Sequence, residues 1–198
     1  MRLGILDRGH GRRQRLLLRV MRLVGRTEPD PVAKVCLYRP EFFGRPWLHL
    51  AAQLMRSPSE WTPGEREVLA VFVSQLNDCP FCSGVHAGIA DRRDAGISDP
   101  LGRWRQGAVD AGMAATFGLL EKVTLTPDAV RPEDITRVRD AGVSDSAMLD
   151  ALYVCYFFNA INRIANAFDF GWDTDADRLK LAEGLDRIGY HVPEFFLR

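Results

Sequence analysis

The segment Thr62-Pro63-Gly64-Glu65 narrows the fold more than any other feature of the chain. Thr62 can cap a helix, Pro63 suits its first position because the missing N–H has no partner there, and Glu65 can turn back to complete a capping box. The run that follows, Val68-Leu69-Ala70-Val71-Phe72-Val73, is ambiguous by apolar content alone. Behind such a cap, and prolonged over three or more turns, it reads as a helix over about 63–77. Asn77 and Asp78 stop that helix, and Cys79 can cap the next one, with Pro80 at its first position and an end near Ala95-Gly96. Other helices are expected over about 46–55, 101–122, 132–141, 145–167 with Ser144 as cap, and 174–188. A basic amphipathic helix is expected over 12–25. No segment offers convincing period-two alternation, so the expected class is all-α.

The 198 residues, 46% of them hydrophobic, suffice for one good core. The expected organisation is a basic helical arm over 1–30 and a single helical domain over 31–198. Net charge is zero, yet the first 26 residues hold eight Arg against one acid, Asp7, which leaves the remainder acidic by about seven charges. Such an arm reads as a solvated helix face or as a docking segment on an oligomer, with neither nucleic acid nor membrane as partner. Leu16-Leu17-Leu18 is too short for a signal-peptide core, no transmembrane span is expected, and the compartment is expected to be the cytoplasm. The four cysteines, 36, 79, 82 and 155, are too few for a disulfide scaffold, so the Cys79-Pro80-Phe81-Cys82 pair points to redox or metal chemistry.

His86 lies one helical turn beyond Cys82, where its imidazole can reach the thiol directly or through one water and take its proton. Cys82 also falls in the first turn of its helix, whose free N–H groups and dipole favour a thiolate. Cys79 is within bridging reach and can attack a sulfenic acid on Cys82 to form a disulfide. An acid on the preceding helix can orient the imidazole; Glu65 is engaged at the helix start, whereas Glu67 shares a stripe with Val71 and Ser74 and is the expected internal acid. Zinc binding by Cys79, Cys82, His86 and Glu67 is a competing reading, as is a thioredoxin fold, which would need strands around the motif. Cys36 and Cys155 read as buried small hydrophobes, His10 as exposed in the arm, His49 as packed on a helix face, and His191 as part of a tail. Tyr153, Tyr156, Phe157 and Phe158 read as core or subunit interface. Asn159, Asn162 and Asn166 repeat the spacing of Cys79, Cys82 and His86 at an offset of 80 residues, the mark of a helical pseudo-repeat whose second copy caps or cross-links helices.

Glu67, eleven intervening residues, Cys79-Pro80-Phe81-Cys82, three more residues and His86 together resemble the signature of the alkylhydroperoxidase D and carboxymuconolactone decarboxylase superfamily. The resemblance covers about residues 40–170 and includes Tyr156-Phe157-Phe158-Asn159-Ala160-Ile161-Asn162-Arg163. It implies an all-helical alkylhydroperoxidase D-like fold that forms homo-oligomers: dimers, trimers or hexamers. It also implies a thiol peroxidase, with Cys82 peroxidatic, Cys79 resolving, and Glu67 and His86 as proton relay. The implied substrate is a hydroperoxide and the implied reductant an external dithiol protein or small thiol, with no cofactor and no metal. The alternative on the same fold is a disulfide exchanger or redox-responsive binding protein. Phe81 stands where alkylhydroperoxidase D has a further His, and the decarboxylase branch lacks the CxxC pair.

Overall fold

The computed structural model describes residues 1–25, 28–93 and 99–191, and among these every regular element is helical. They are α1 (Ile5–Arg8), α2 (Arg12–Gly25), α3 (Pro31–Tyr38), a π-helical turn (Pro40–Gly44), α4 (Arg45–Arg56), α5 (Pro63–Leu76), α6 (Pro80–Arg93), α7 (Pro100–Arg105), α8 (Ala111–Leu125), a short 3-10 turn (Pro127–Ala129), α9 (Pro132–Asp140), α10 (Asp145–Phe168) and α11 (Asp175–Ile188). The capping box that opens α5 is formed: the Thr62 side chain accepts from the Glu65 N–H at 3.2 Å, and the Thr62 N–H donates to Glu65 at 2.7 Å.

α5 occupies the centre, with α6, α7, α8 and α10 packed around it, and α11 lies on the outer side of α6. Its sequence accounts for the position, because residues 66 to 74 are buried without interruption and a helix apolar on every side must be enclosed. Phe72 stacks on Phe117 of α8 at 3.9 Å between ring centres, with the Trp104 ring edge-on at 5.5 Å. On the far side α11 approaches α6 closely at Gly88, where an added Cβ would come to 3.0 Å of the Ala182 Cβ. That proximity brings the residues after α11 towards the middle of α6.

Two departures from the sequence expectation concern α7–α8 and the N-terminal arm. The helix expected over 101–122 is two helices, because Gly107 adopts a left-handed φ of 69° that ends α7, and Asp110 caps α8 by accepting from the Met113 N–H at 2.9 Å. His10 is not exposed in the arm but buried, its Nε2 lying 2.9 Å from the Lys34 carbonyl and its ring edge-on to Tyr38. α2 has the expected bounds, lies against α3, and leaves Leu16, Val20 and Leu23 exposed. Among the described residues no helix is long and apolar enough to cross a membrane.

Candidate active site

Between α5 and α6 the chain turns within three residues. Asp78 takes a left-handed φ of 47°, and the Cys79 N–H donates back to the Ser74 carbonyl at 2.9 Å, closing the end of α5. The Cys79 carbonyl already accepts from the Ser83 N–H at 3.0 Å, so Cys79 caps α6 and Pro80 occupies its first position. α10 clasps this turn. Asn166 donates to the Asn77 carbonyl at 2.9 Å, Asn77 donates to the Asn159 side chain at 3.1 Å, and Ser74 donates to Asn162 at 3.2 Å. The three asparagines thus cross-link helices as their spacing led us to expect, from within one continuous helix.

Both cysteines are free thiols and both are buried. Cys79 lines an open cleft of about 290 Å³ with Gln75, Asp78, Pro80 and Ser83. Its thiol is held below the ordinary value because the Cys82 thiol donates to it and because the N–H groups of Cys82 and Phe81 point at it from the first turn. Cys82 is pushed well above its ordinary value by that same hydrogen bond, by burial and by the charge on Cys79. The effects expected to activate Cys82 therefore act on Cys79, the capping residue. The Cys82 ring of neighbours is apolar on one side, where Phe81 packs between Phe170 and Trp172 at 5.6 and 5.4 Å.

This arrangement predicts opposite responses to removing either partner. The thiolate is the alkylating form, so in Cys82→Ala the alkylation midpoint of Cys79 moves to higher pH, whereas in Cys79→Ala that of Cys82 moves to lower pH. Iodoacetamide rates followed by mass spectrometry across pH check both directions.

Behind the cysteines lies a buried polar cluster. Glu67 is fully buried, and its Oε2 lies 2.7 Å from Nδ1 of His86. The Tyr190 hydroxyl is 3.0 Å from each Glu67 oxygen and 3.2 Å from His86 Nδ1. The Arg56 guanidinium pairs with Glu67 Oε1 at 2.8 Å and sits 4.8 Å above the Tyr190 ring, which in turn is stacked parallel to the His86 ring at 6.2 Å. Burial and the Glu67 charge raise the Tyr190 hydroxyl well above its ordinary value, so it stays a donor. A carboxylate only accepts, so Nδ1 of His86 carries the hydrogen, and in the neutral imidazole the lone pair is on Nε2. No hydrogen bond joins His86 to Cys82 among the described residues; the imidazole and the Phe158 ring meet at right angles, 4.6 Å between centres.

Glu67, Cys79, Cys82 and His86 are thus gathered across the first two turns of α6 and the facing side of α5. Arg56 and Tyr190 were not foreseen: one ends an ordinary helix, the other follows the Gly189 cap of α11, and neither belongs to a spaced motif. Cys36 and Cys155 are buried, and burial pushes Cys36 up to about 12 and raises Cys155. His49 is exposed instead of packed, and His191 is exposed too. Phe157 and Phe158 lie in the core, whereas Tyr153 and Tyr156 face outward. Among the described residues no three His, Cys, Asp or Glu side chains are grouped to hold a metal ion.

An all-helical chain with a CxxC pair opening one helix and a buried Glu–His pair behind it has the alkylhydroperoxidase D-like fold. Residues 41–122, which include all four of these residues, match the model of the carboxymuconolactone decarboxylase family, and the resemblance carried by the motif is upheld. One similar solved structure is described as an uncharacterized peroxidase-related protein from Silicibacter sp. TM1040, with a TM-score of 0.69, 22% identity, and coverage of 81% of this chain and 85% of that one. Another, described as the alkylhydroperoxidase AhpD core of an uncharacterized peroxidase-related protein from Ralstonia eutropha JMP134, has a TM-score of 0.70, 20% identity, and coverage of 89% of this chain and 92% of that one. No curated protein matches the chain.

Proposed function

We propose that this protein is a thiol-dependent peroxidase that reduces hydroperoxides through Cys79 and Cys82, with Glu67 and His86 as proton relay. The observation that carries this reading is the 2.7 Å contact between His86 Nδ1 and buried Glu67, one helical turn from Cys82. The hydrogen bond between the thiols favours Cys79 as the one to ionise first and holds the proton on Cys82, so Cys82 needs a base to become a nucleophile. His86 Nε2, set as acceptor by Glu67, takes that proton through one water. The Cys82 thiolate attacks one oxygen of the hydroperoxide, the O–O bond breaks, and the leaving alkoxide takes a proton from the imidazolium to depart as an alcohol. The Cys79 thiolate then attacks the sulfenic sulfur of Cys82; the hydroxyl leaves as water with one proton, and a disulfide forms. An external dithiol protein or small thiol returns two electrons and two protons. The cycle calls on no cofactor.

Peroxide consumption by reduced protein, followed by stopped flow, tests the assignment. Cys82→Ser is expected to lose it, and Cys79→Ser to complete one turnover and stop at a trappable sulfenic acid. Retention of the first oxidation step in Cys82→Ser would overturn the role given to Cys82.

A second reading, disulfide exchange with a partner protein, is favoured by one observation: Cys79 has the lowered thiol and lines the cleft. In that case hydroperoxides oxidise the pair no faster than a free thiol, while a partner disulfide is reduced quickly. On either reading the chain is proposed to act in the cytoplasm as a homo-oligomer. The exposed stripe of Leu149, Tyr153 and Tyr156 along α10 supports self-association.

A further inference from the structure

We propose that Tyr190 and Arg56 are positioning residues of the relay: they fix the Glu67 carboxylate so that it holds the hydrogen of His86 on Nδ1 and keeps Nε2 free to act as base. This rests on the thiol peroxidase reading and extends it to two residues outside the motif.

The geometry leaves Glu67 little freedom. It is fully buried, and partners reach it from three elements: His86 from α6 by a hydrogen bond at 2.7 Å, Arg56 from α4 by an ion pair at 2.8 Å, and the Tyr190 hydroxyl, after α11, at 3.0 Å to both oxygens. With one side of the carboxylate taken by Arg56 and both oxygens bonded to one hydroxyl, rotation of the group would break several contacts at once. Arg56 is itself braced, with its guanidinium 3.6 Å from Asp186 of α11 and stacked on the Tyr190 ring at 4.8 Å. Asp186 pairs in turn with Arg92 and Arg93 at the end of α6, so α4, α6 and α11 share one ionic frame around the carboxylate.

Tyr190 is held at a backbone cost. Its φ is 66°, in the left-handed region that L side chains seldom adopt, directly after Gly189 with φ 59°. Such a conformation costs on the order of 1–3 kcal/mol and persists only where surrounding contacts over-determine it. Here those contacts are the ones made by its ring and hydroxyl to His86, Arg56 and Glu67. Ring burial alone would be served by phenylalanine; the hydroxyl on both carboxylate oxygens is what a tyrosine adds.

The test separates hydroxyl from ring. In full-length Cys79→Ser protein, Tyr190→Phe keeps the ring stack and the guanidinium contact and removes only the hydrogen bonds. Loss of a group that orients a base through its partner is expected to lower the peroxide rate constant of Cys82 about tenfold. The pH midpoint of Cys82 alkylation is expected to rise. Nitrogen-15 chemical shifts of the His86 imidazole are expected to change from a single Nδ1–H form to a mixture of tautomers. Arg56→Gln is expected to act in the same direction, and Arg56→Lys to restore part of the loss. If Tyr190→Phe leaves the tautomer, the alkylation midpoint and the rate as they were, Tyr190 only fills space and the proposal falls. If Cys79→Ser protein with Tyr190 intact reacts with peroxide no faster than a free thiol, the peroxidase reading falls instead. The imidazole shifts and the alkylation midpoint still judge Tyr190 in that case, because neither requires peroxide. Should Tyr190→Phe fail to fold, the same three readouts on Arg56→Gln and Arg56→Lys decide.

Discussion

Replacing Glu67 with Leu is expected to destabilise the protein by about 3–5 kcal/mol, since it leaves Arg56 buried without its closest countercharge and the Tyr190 hydroxyl without an acceptor. Asp186, at 3.6 Å from Arg56, offsets only part of the loss. The physical claim is that the penalty belongs to the orphaned partner and not to the missing carboxylate. Arg56→Leu in the same chain should therefore recover much of it, as a buried ion pair exchanged for apolar groups often costs little. Urea unfolding of the two single variants and the double variant gives the coupling directly. If Glu67→Leu and Arg56→Leu act additively, the two side chains do not depend on each other as the 2.8 Å contact requires. Either single variant should also lose peroxide turnover, so the double variant would be stable and inactive.

The second large effect lies on the opposite side of α5. Phe72→Ala removes a ring with no solvent exposure, stacked on Phe117 and capped by Trp104, and is expected to cost about 3–5 kcal/mol through lost burial and the cavity left behind. α5 is buried on all sides, so this face points to α7 and α8 while Glu67 meets α6. The denaturation midpoint should fall without a change in slope. At temperatures well below the transition, the alkylation rates of Cys79 and Cys82 should match those of the unsubstituted protein. A variant that is weakly destabilised, or that loses thiol reactivity while still folded, would contradict this separation of core and site.

Much of the fold was legible because its punctuation is local. Thr62-Pro63-Gly64-Glu65, Cys79-Pro80 and Ser144 act through hydrogen bonds between near neighbours, and each helix start they mark is found where it was expected. The Glu67–His86 pair was legible for a related reason: an acid on the apolar stripe of an enclosed helix must find a donor, and His86 is the ring that a CxxC helix offers. What escaped depends on contacts between distant segments. Nothing near Tyr190 announces that its hydroxyl will meet a carboxylate 123 residues away, and nothing near His10 announces the carbonyl of Lys34. The break at Gly107 was missed because the apolar spacing of 101–122 spans it, whereas the backbone responds to glycine and the Asp110 cap. The thiol order is not legible because first-turn position points to Cys82, whereas the capping residue Cys79 receives the N–H groups and the hydrogen bond from its partner.

Tyr190 also has a consequence for how the protein is made. It follows His86 by 104 residues, which a ribosome working at about 5–20 residues per second needs on the order of 5–20 s to add. Throughout that interval a nascent chain carries Cys79 and Cys82 with no means of closing the cluster behind them. Assembly of the relay is therefore expected to be timed by the arrival of the last contributor, so that a chain stalled short of residue 190 holds Cys82 without a completed relay behind it.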